Sequence, residues 1–331
     1  IIIVRRIKDE IKEDYEMFYS LNKHPSFNSL TSSNKIELLE LINKTKLNAE
    51  KGHWLINNSE LELVLPEFAH GSFSNVYDCN WRGTKIALKK PKNNKITNFV
   101  EFLKEIDVWS SLRHPNLVQF LGISFNDNYD EVSILMEKIE GTNLKDYIKK
   151  PNTSLSYTKK KHIIYELIKI FNFLHKCNPP IIYRDLKPEN ILITKDCTLK
   201  LADFGLSKYY TMDLCGNYIM TGGTGTLRYM APEVYLHEPY TLKVDIYSLG
   251  MIMYYIITDE RPFHNYDTTL MDNYFRTPDL IFSTSKIKNK EIRALVNKCI
   301  DKDPYNRLDI NDLQKEWKEI FTGDNKNCII S

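Results

Sequence analysis

Within residues 183–190, an acid, a cation and an amide stand at spacings that suit phosphoryl transfer. Asp185 can accept the proton of an incoming hydroxyl, because a well-placed carboxylate acts as a general base. Lys187 follows closely and can neutralise charge on the group in transfer. Asn190 ends the segment with an amide oxygen, a ligand that Mg²⁺ accepts. These residues therefore predict chemistry on a phosphoryl group.

The residues after Asn190 predict a β-hairpin that adds a second metal ligand. Two short apolar runs, 191–193 and 199–201, flank a polar turn, which is the pattern of two paired strands. Asp203 lies at the exit of this hairpin. Because a hairpin brings its two ends together, Asn190 and Asp203 should become neighbours. Both supply hard oxygen atoms of the kind that bind a nucleotide-bound Mg²⁺.

Further motifs occur upstream and downstream in a fixed order. They are Ile86-Ala87-Leu88-Lys89, His114-Pro115-Asn116, Asp203-Phe204-Gly205 and Ala231-Pro232-Glu233. With the 183–190 segment, this set resembles the signature of the protein kinase superfamily. The resemblance implies that Lys89 holds the α- and β-phosphates of ATP and that Glu105 holds Lys89. It also implies ATP and Mg²⁺ as cofactors and a buried ion pair between Glu233 and Arg307.

The segment that resembles the glycine-rich loop departs from the family pattern. Residues 69–76 keep only the middle glycine, Gly71, while Ala69 and Ser74 stand where the family has glycines. Since neither residue adopts a positive φ as readily as glycine, the sequence predicts weaker nucleotide binding without its loss. By resemblance, Met136 is the gatekeeper beside the adenine-binding hinge. The nucleotide-binding residues implied in this way are Ala69, Gly71, Ser72, Phe73, Val76, Ala87, Lys89, Met136, Glu137, Ile139 and Leu192.

Two residues indicate which hydroxyl group accepts the phosphate. Lys187 and Thr226, the latter on the substrate platform, look like those of a serine/threonine kinase that modifies proteins. Trp54 and Tyr247 look more like the tyrosine-kinase-like branch of the family. A pseudokinase scaffold with weak nucleotide binding is the alternative, and only the altered glycine-rich loop favours it. A lipid or small-molecule kinase is a third reading, which Thr226 disfavours.

A regulatory hypothesis follows from the cation beside the catalytic acid. Arg184 would be partly uncompensated unless an anion from the activation segment pairs with it. Thr221 and Thr224 are the best-placed residues to carry a phosphate. The alternative is that both hydroxyl groups are ordinary unmodified loop residues.

Periodicity predicts an α+β protein with two lobes, as the kinase resemblance also implies. Short strands and one main helix precede residue 138, and helices dominate from about 139. We expect a kinase domain over residues 54–322 and a flexible tail over 323–331. The Lys159–Lys161 run is expected to be the solvated start of a helix.

Residues 1–53 form an N-terminal extension that carries no recognisable catalytic motif. Apolar residues recur at helical spacing from Ile3 to Phe18 and again from Leu38 to Ile42, which predicts two amphipathic helices. Asn34 and Glu37 are expected to cap the second helix. We expect these helices to pack against the kinase domain, with a separate binding function as the alternative.

Composition excludes several other classes of protein. The net charge of +2 with interspersed signs gives no basic footprint for nucleic acid. The 6 cysteines of the chain lack the spacing of a zinc site or a disulfide framework, which predicts a reducing, cytoplasmic location. Cys328 begins a C-terminal sequence that matches a prenylation signal, and membrane association is expected only if it is modified. We expect a monomer or a transient oligomer.

Overall fold

The computed structural model describes residues 17, 19–21, 25–70, 74–92, 96–129, 131–150, 155–210 and 227–327. The chain divides into two compact units. Unit 1 comprises Ile1–Arg113 with Val118–Lys138, and unit 2 comprises His114–Leu117 with Ile139–Ser331. The predicted residues Gly71, Ser72, Phe73, Thr221, Thr224, Thr226 and Cys328, and all the apolar residues of the predicted Ile3–Phe18 stripe, lie outside the described residues.

Unit 1 is built on an antiparallel sheet of five strands in the order β1-β2-β3-β5-β4. The strands are β1 (Leu61–His70), β2 (Ser74–Trp81), β3 (Thr84–Pro91), β4 (Phe120–Phe125) and β5 (Val132–Glu137). Its helices are α1 (Pro25–Asn28), α2 (Ser32–Lys51) and α3 (Ile96–Trp109), with a 3₁₀ turn at Asn58–Glu60. The predicted main helix of the smaller lobe is therefore α3.

Alternation along β3 separates the two faces of this sheet. Ile86 and Leu88 point into a hydrophobic cluster with Ile56, Cys79 and Leu135. Ala87 and Lys89 must then point to the opposite face, because successive side chains on a strand alternate. The sheet therefore has one face for packing and one face that carries the predicted nucleotide-binding lysine.

Unit 2 is mainly helical. Its helices are α4 (Leu144–Lys149), α5 (Tyr157–His175), α6 (Pro232–Tyr235), α7 (Lys243–Thr258), α8 (Thr268–Arg276), α9 (Lys290–Cys299) and α10 (Ile310–Asn327). Its strands are β6 (Gly141–Asn143), β7 (Ile181–Ile182), β8 (Ile191–Thr194), β9 (Leu199–Leu201) and β10 (Lys208–Tyr209), with 3₁₀ turns at Pro188–Asn190 and Pro304–Asn306. The predicted α+β class, with a strand-rich first part and a helix-rich second part, is confirmed.

Helix α7 forms the centre of unit 2. Every residue from Val244 to Ile256 is buried, which explains why its sequence is apolar on all sides. No helix in the described part of the chain combines the length and hydrophobicity that crossing a bilayer requires.

Two local predictions were wrong. Helix α2 is capped by Thr31, whose side chain accepts a hydrogen bond from the Asn34 backbone, so the helix begins before the predicted cap. The lysine run does lie at the start of α5 and Lys159 is exposed, but Lys160 and Lys161 are buried and not solvated as predicted. Lys160 pairs with Asp259 at 2.5 Å, and Lys161 lies over aromatic rings. Asp259 and Phe321 are distant along the chain, which is why the sequence did not reveal them as partners.

Candidate active site

The sheet of unit 1 brings several predicted nucleotide-binding residues to one face. Val76 on β2 lies opposite both Ala69 on β1 and Lys89 on β3. Ala87, two residues before Lys89, lies opposite Met136 on β5. Since directly paired residues share a face, all five side chains belong to the same side of the sheet. Their position in four different strands could not be derived from spacing alone.

Lys89 and Glu105 form the predicted ion pair within unit 1. The Lys89 ammonium donates to Glu105 Oε1 at 2.6 Å, and both side chains are buried. The ammonium also lies 5.5 Å from the centre of the Phe102 ring, one turn earlier on α3. The carboxylate and the aromatic ring together hold the buried lysine in one orientation, as phosphate binding requires.

The other residues predicted to bind nucleotide, Glu137, Ile139 and Leu192, do not lie on this face of the sheet. Glu137 pairs with Ile86, so its side chain points to the packing face, where it accepts a hydrogen bond from the Gln119 backbone at 2.7 Å. Its own backbone N–H donates to the Gln119 carbonyl at 2.9 Å. Ile139 and Leu192 belong to unit 2, and Leu192 lies on β8.

Ala69 and Ser74 replace glycines of the family pattern, and the structure shows whether their backbone needs a positive φ. Ala69 and Ser74 are not among the described residues with a positive φ. Neither position therefore needs glycine to hold the backbone seen here. The effect of these residues on nucleotide affinity stays a prediction.

The predicted hairpin of unit 2 forms and brings its ends together. Strand β8 pairs with β9 in antiparallel register, and the Ala202 backbone N–H donates to the Asn190 carbonyl at 2.9 Å. Asn190 therefore lies beside the residue that precedes Asp203. Strand β6 adds a third strand to this sheet, which the sequence analysis did not predict. A side chain at Gly141 would lie 2.2 Å from the Ile193 carbonyl oxygen, so this close pairing depends on glycine.

Asp185 is fixed by Lys187 and Asn190, which the sequence analysis had assigned to phosphoryl charge and to the metal. Its Oδ2 atom accepts hydrogen bonds from Lys187 Nζ at 2.6 Å and from Asn190 Nδ2 at 2.9 Å. Its Oδ1 atom is buried and has no hydrogen-bond partner among the described residues. One carboxylate oxygen is thus used for orientation, while the other is left for a proton donor.

The charge environment of Asp185 suits a general base. Burial raises the pKa of this carboxyl group, Lys187 opposes the rise, and the negative charge of Asp203 reinforces it. A carboxylate whose pKa is moved towards neutrality accepts a proton more readily than an exposed one. Asp203 is therefore close enough to act electrostatically on Asp185.

Asp245 and His175 are site residues that the sequence analysis missed. Asp245 is fully buried at the start of α7 and accepts hydrogen bonds from the backbone N–H groups of Tyr183 at 3.0 Å and Arg184 at 2.9 Å. His175 Nε2 lies 2.9 Å from the same carboxylate. Asp245 therefore fixes the backbone that carries Asp185. An acidic residue at the start of an otherwise apolar helix was the signal available.

Arg184 already has partners within unit 2. Its Nε donates to the Leu206 carbonyl at 2.5 Å and its Nη1 to the Tyr240 hydroxyl at 3.0 Å. Its backbone adopts a positive φ of 68°, which is unfavourable for a side chain of this size and is common at functional sites. The hydrogen bond to Asp245 helps to hold it there. Pairing of Arg184 with a phosphorylated threonine stays a prediction.

Tyr183 links the catalytic segment to the segment that carries Asp203. Its hydroxyl donates to the Ala202 carbonyl at 2.5 Å, and its ring packs edge-on against Phe204 with centroids 5.6 Å apart. The tyrosine thus supports the position of Asp203 by both polar and aromatic contacts.

The predicted ion pair between Glu233 and Arg307 is also formed. Arg307 donates from Nη1 and Nη2 to the two carboxylate oxygens of Glu233 at 2.7 and 2.8 Å. Arg307 also donates to backbone carbonyls of three residues at 2.7 to 3.2 Å, namely Lys243, Asp301 and Lys302. Both partners are buried, so this pair anchors α6 against the loop before α10.

Comparison with known proteins agrees with this geometry. Residues 65–317 match the family model of the protein kinase domain, so the chain belongs to the protein kinase family. Among curated relatives, serine/threonine-protein kinase VIK of Arabidopsis thaliana is 33% identical over 278 residues, which cover 82% of this chain and 63% of VIK. Serine/threonine-protein kinase CTR1 of the same plant is 30% identical over 241 residues, which cover 72% of this chain and 29% of CTR1.

A third relative comes from another organism. Probable serine/threonine-protein kinase drkC of Dictyostelium discoideum is 32% identical over 272 residues, which cover 78% of this chain and 35% of that protein. The chain spans less than two thirds of the length of each of these relatives. The predicted resemblance to serine/threonine kinases of the tyrosine-kinase-like branch is confirmed, and nothing in the comparisons favours a pseudokinase.

Proposed function

We propose that this chain transfers the γ-phosphoryl group of ATP to serine or threonine hydroxyls of protein substrates. A protein kinase domain implies the use of ATP. The observation that carries the proposal is the arrangement of Asp185, with Oδ2 held by Lys187 and Asn190 and Oδ1 left without a described protein partner.

Each residue has a defined part in this proposal. Asp185 accepts the proton of the substrate hydroxyl as the oxygen attacks, and Lys187 offsets negative charge on the phosphoryl group. Lys89, held by Glu105, binds the non-transferred phosphates. Backbone anchoring by Asp245 keeps the base in position, so the protein contributes mainly orientation and electrostatic stabilisation.

Mg²⁺ fits the donor set, with Asn190 and Asp203 as the residues that would hold it. Within the described residues, no group of three or more His, Cys, Asp or Glu side chains could hold a metal. Asn190 and Asp203 supply two oxygen ligands, and Mg²⁺ is usually bound by one or two protein oxygens together with substrate phosphates. The negative charge of Asp203, which raises the pKa of Asp185, is also of the sign that a cation offsets. When bound, Mg²⁺ would neutralise phosphate charge.

The experiment is transfer of ³²P from ATP to a generic protein substrate, followed by identification of the labelled amino acid. Wild-type chain should label serine or threonine, and Asp185→Asn should lose roughly 10²-fold or more of the activity, since general-base catalysis contributes about that much. Asp196→Asn is the matched control, because Asp196 is an exposed aspartate in the β8–β9 turn. Equal transfer by wild type and Asp185→Asn would overturn the proposal.

Several predictions remain proposals. These are phosphorylation of Thr221 and Thr224, prenylation of Cys328, the cytoplasmic location, the oligomeric state and the domain limits at residues 53 and 322. The arrangement of Arg184 supports the first of them, since Tyr240 and Leu206 hold its guanidinium group in one orientation. Full activity of the Thr221→Ala/Thr224→Ala variant would contradict it.

A further inference from the structure

The part of the chain that precedes the family match at residue 65 is built into unit 1. Helix α2 buries a stripe of four residues, Leu38, Ile42, Thr45 and Ala49, which recur at helical spacing. We call this set the core-facing stripe. Its burial means that α2 is a packed component of unit 1.

Helix α2 packs against α3, the helix that carries Glu105. Lys44 on α2 lies 3.4 Å from Asp107 on α3, which orients the two helices towards each other. This ion pair is largely exposed and contributes little free energy. Burial of the core-facing stripe is therefore expected to supply most of the free energy that holds α2 in unit 1. Any displacement of α2 is therefore felt by the helix that presents Glu105.

The residues after α2 join the sheet of unit 1 at its β4 edge. We call residues 54–56 the edge segment. The Ile56 N–H donates to the Ile123 carbonyl at 2.8 Å, and the Ile123 N–H donates to the Trp54 carbonyl at 2.9 Å. A side chain at Gly122 would lie 2.4 Å from the Trp54 carbonyl oxygen, so glycine permits this approach. The edge segment thus covers β4 with backbone hydrogen bonds.

The turn between α2 and the edge segment connects to the other end of α3. The Trp54 indole lies so close to Gly52 that a side chain there would come within 2.1 Å of it. The Trp54 ring packs edge-on against Phe120 at 5.3 Å, and Phe120 lies 6.0 Å from Trp109, the last residue of α3. Helix α3 is therefore supported along its side by α2 and at its C-terminal end through Trp54.

We propose that α2 and Trp54 position Glu105, so that the Lys89–Glu105 contact and nucleotide binding depend on residues outside the family match. This inference rests on the proposed function and adds positioning residues to it. The contact between Lys89 and Glu105 is 2.6 Å long, and a shift of α3 by about 1 Å is enough to weaken a charge-assisted hydrogen bond of this length.

The test compares two variants that delete the same atoms from the same helix. Leu38→Ala/Ile42→Ala truncates the core-facing stripe. Ile36→Ala/Leu47→Ala is the matched control, because these side chains are 58% and 48% exposed. The first variant should bind a fluorescent ATP analogue more weakly and lose roughly 10- to 100-fold in kcat/KM, whereas the control should stay within about 2-fold of wild type.

The next step separates positioning from general stability. In a Glu105→Gln background, Leu38→Ala/Ile42→Ala should cause no further loss of nucleotide affinity, because its effect acts through Glu105. Additive losses, or equal effects of the two matched variants, would overturn the inference. Circular dichroism and urea unfolding establish that each variant is folded.

Two further measurements test the inference if the stripe variant does not fold or if wild type transfers no phosphate. If Leu38→Ala/Ile42→Ala does not fold, Gly52→Ala displaces the Trp54 indole while leaving the core-facing stripe intact, and it should show the same non-additivity with Glu105→Gln. If wild type transfers no phosphate, the proposed function fails, but hydrogen exchange still decides the inference. Exchange in residues 96–109 should accelerate in the stripe variant and not in the control, and unchanged exchange would contradict it.

Discussion

Two buried ion pairs, one in each unit, differ in how their cations are held. Lys89 presents a flexible ammonium to Glu105 Oε1. Arg307 presents a planar fork to both oxygens of Glu233 and uses further N–H groups on backbone carbonyls. The first cation can shift to a new anion such as a phosphate, whereas the second is tied to the backbone around it. Burial and charge alone therefore do not distinguish a functional pair from an anchoring pair.

The largest effect should come from breaking the anchoring pair. Arg307→Ala leaves Glu233 buried without its partner, which should lower the free energy of unfolding by about 3–5 kcal/mol. Urea denaturation followed by tryptophan fluorescence measures this change in the free energy of unfolding. Arg276→Ala is the control, because Arg276 pairs with Asp272 at an exposed position and its loss should leave stability close to wild type. Similar midpoints for both variants would remove the distinction between the two pairs.

Replacing both members of each pair by apolar residues sharpens the comparison. Lys89→Met/Glu105→Leu should unfold within about 2 kcal/mol of wild type while losing activity, since apolar replacement of a buried pair is often neutral. Glu233→Leu/Arg307→Met should stay destabilised, because three carbonyls lose their donor at about 1–3 kcal/mol per unsatisfied group. Denaturation curves for both double variants decide this. Equal recovery of stability would show that the carbonyl contacts of Arg307 contribute nothing.

A smaller effect is expected from the tyrosine beside the anchoring pair. Arg307 lies over the Tyr247 ring at 5.0 Å, and the buried Tyr247 and Tyr274 hydroxyls are 3.1 Å apart. Either single change to phenylalanine strands one hydroxyl and should cost about 1–3 kcal/mol. The double variant Tyr247→Phe/Tyr274→Phe should cost less than the sum of the singles, as a double-mutant cycle by urea unfolding would show. Strict additivity would mean that the hydroxyls do not interact.

The smallest effect concerns the pH dependence of Asp185. Because burial raises its pKa in the folded state, ionised Asp185 opposes folding, and this cost is absent below the unfolded pKa of about 3.9. Without nucleotide and Mg²⁺, Asp185→Asn should therefore be more stable than wild type at pH 7, and the difference should shrink as pH falls towards 4. Unfolding curves across this range test the sign. A difference that grows on acidification would contradict it.

The sequence predicted contacts between some residues that are close together along the chain. Asn190 and the segment before Asp203 meet because a hairpin joins them. The hydrogen bond from Lys187 to Asp185 was not predicted, although the two residues are close in sequence. The kinase resemblance supplied the pairs of Lys89 with Glu105 and of Glu233 with Arg307. The support from Asp245 was not foreseen, since 61 residues of sequence separate it from Arg184.

Other failures have the same cause. The burial of Lys160 depends on Asp259, which is 99 residues further along the chain. Strand β6 depends on Gly141 meeting a strand that begins at Ile191. Local patterns such as periodicity and capping motifs cannot report partners at this separation. They identify the residues, but the contacts of those residues depend on the tertiary structure.

Tyr183, which precedes Arg184, affects how the hydrogen bond to the Ala202 carbonyl responds to pH. Its hydroxyl holds the Ala202 carbonyl, and burial raises the pKa of Tyr183 well above its ordinary value. A histidine at this position would gain a proton near pH 6.5 in its unperturbed state. The tyrosine keeps one protonation state throughout the range in which cells and their compartments operate. This link between the catalytic segment and Asp203 is therefore insensitive to cellular pH.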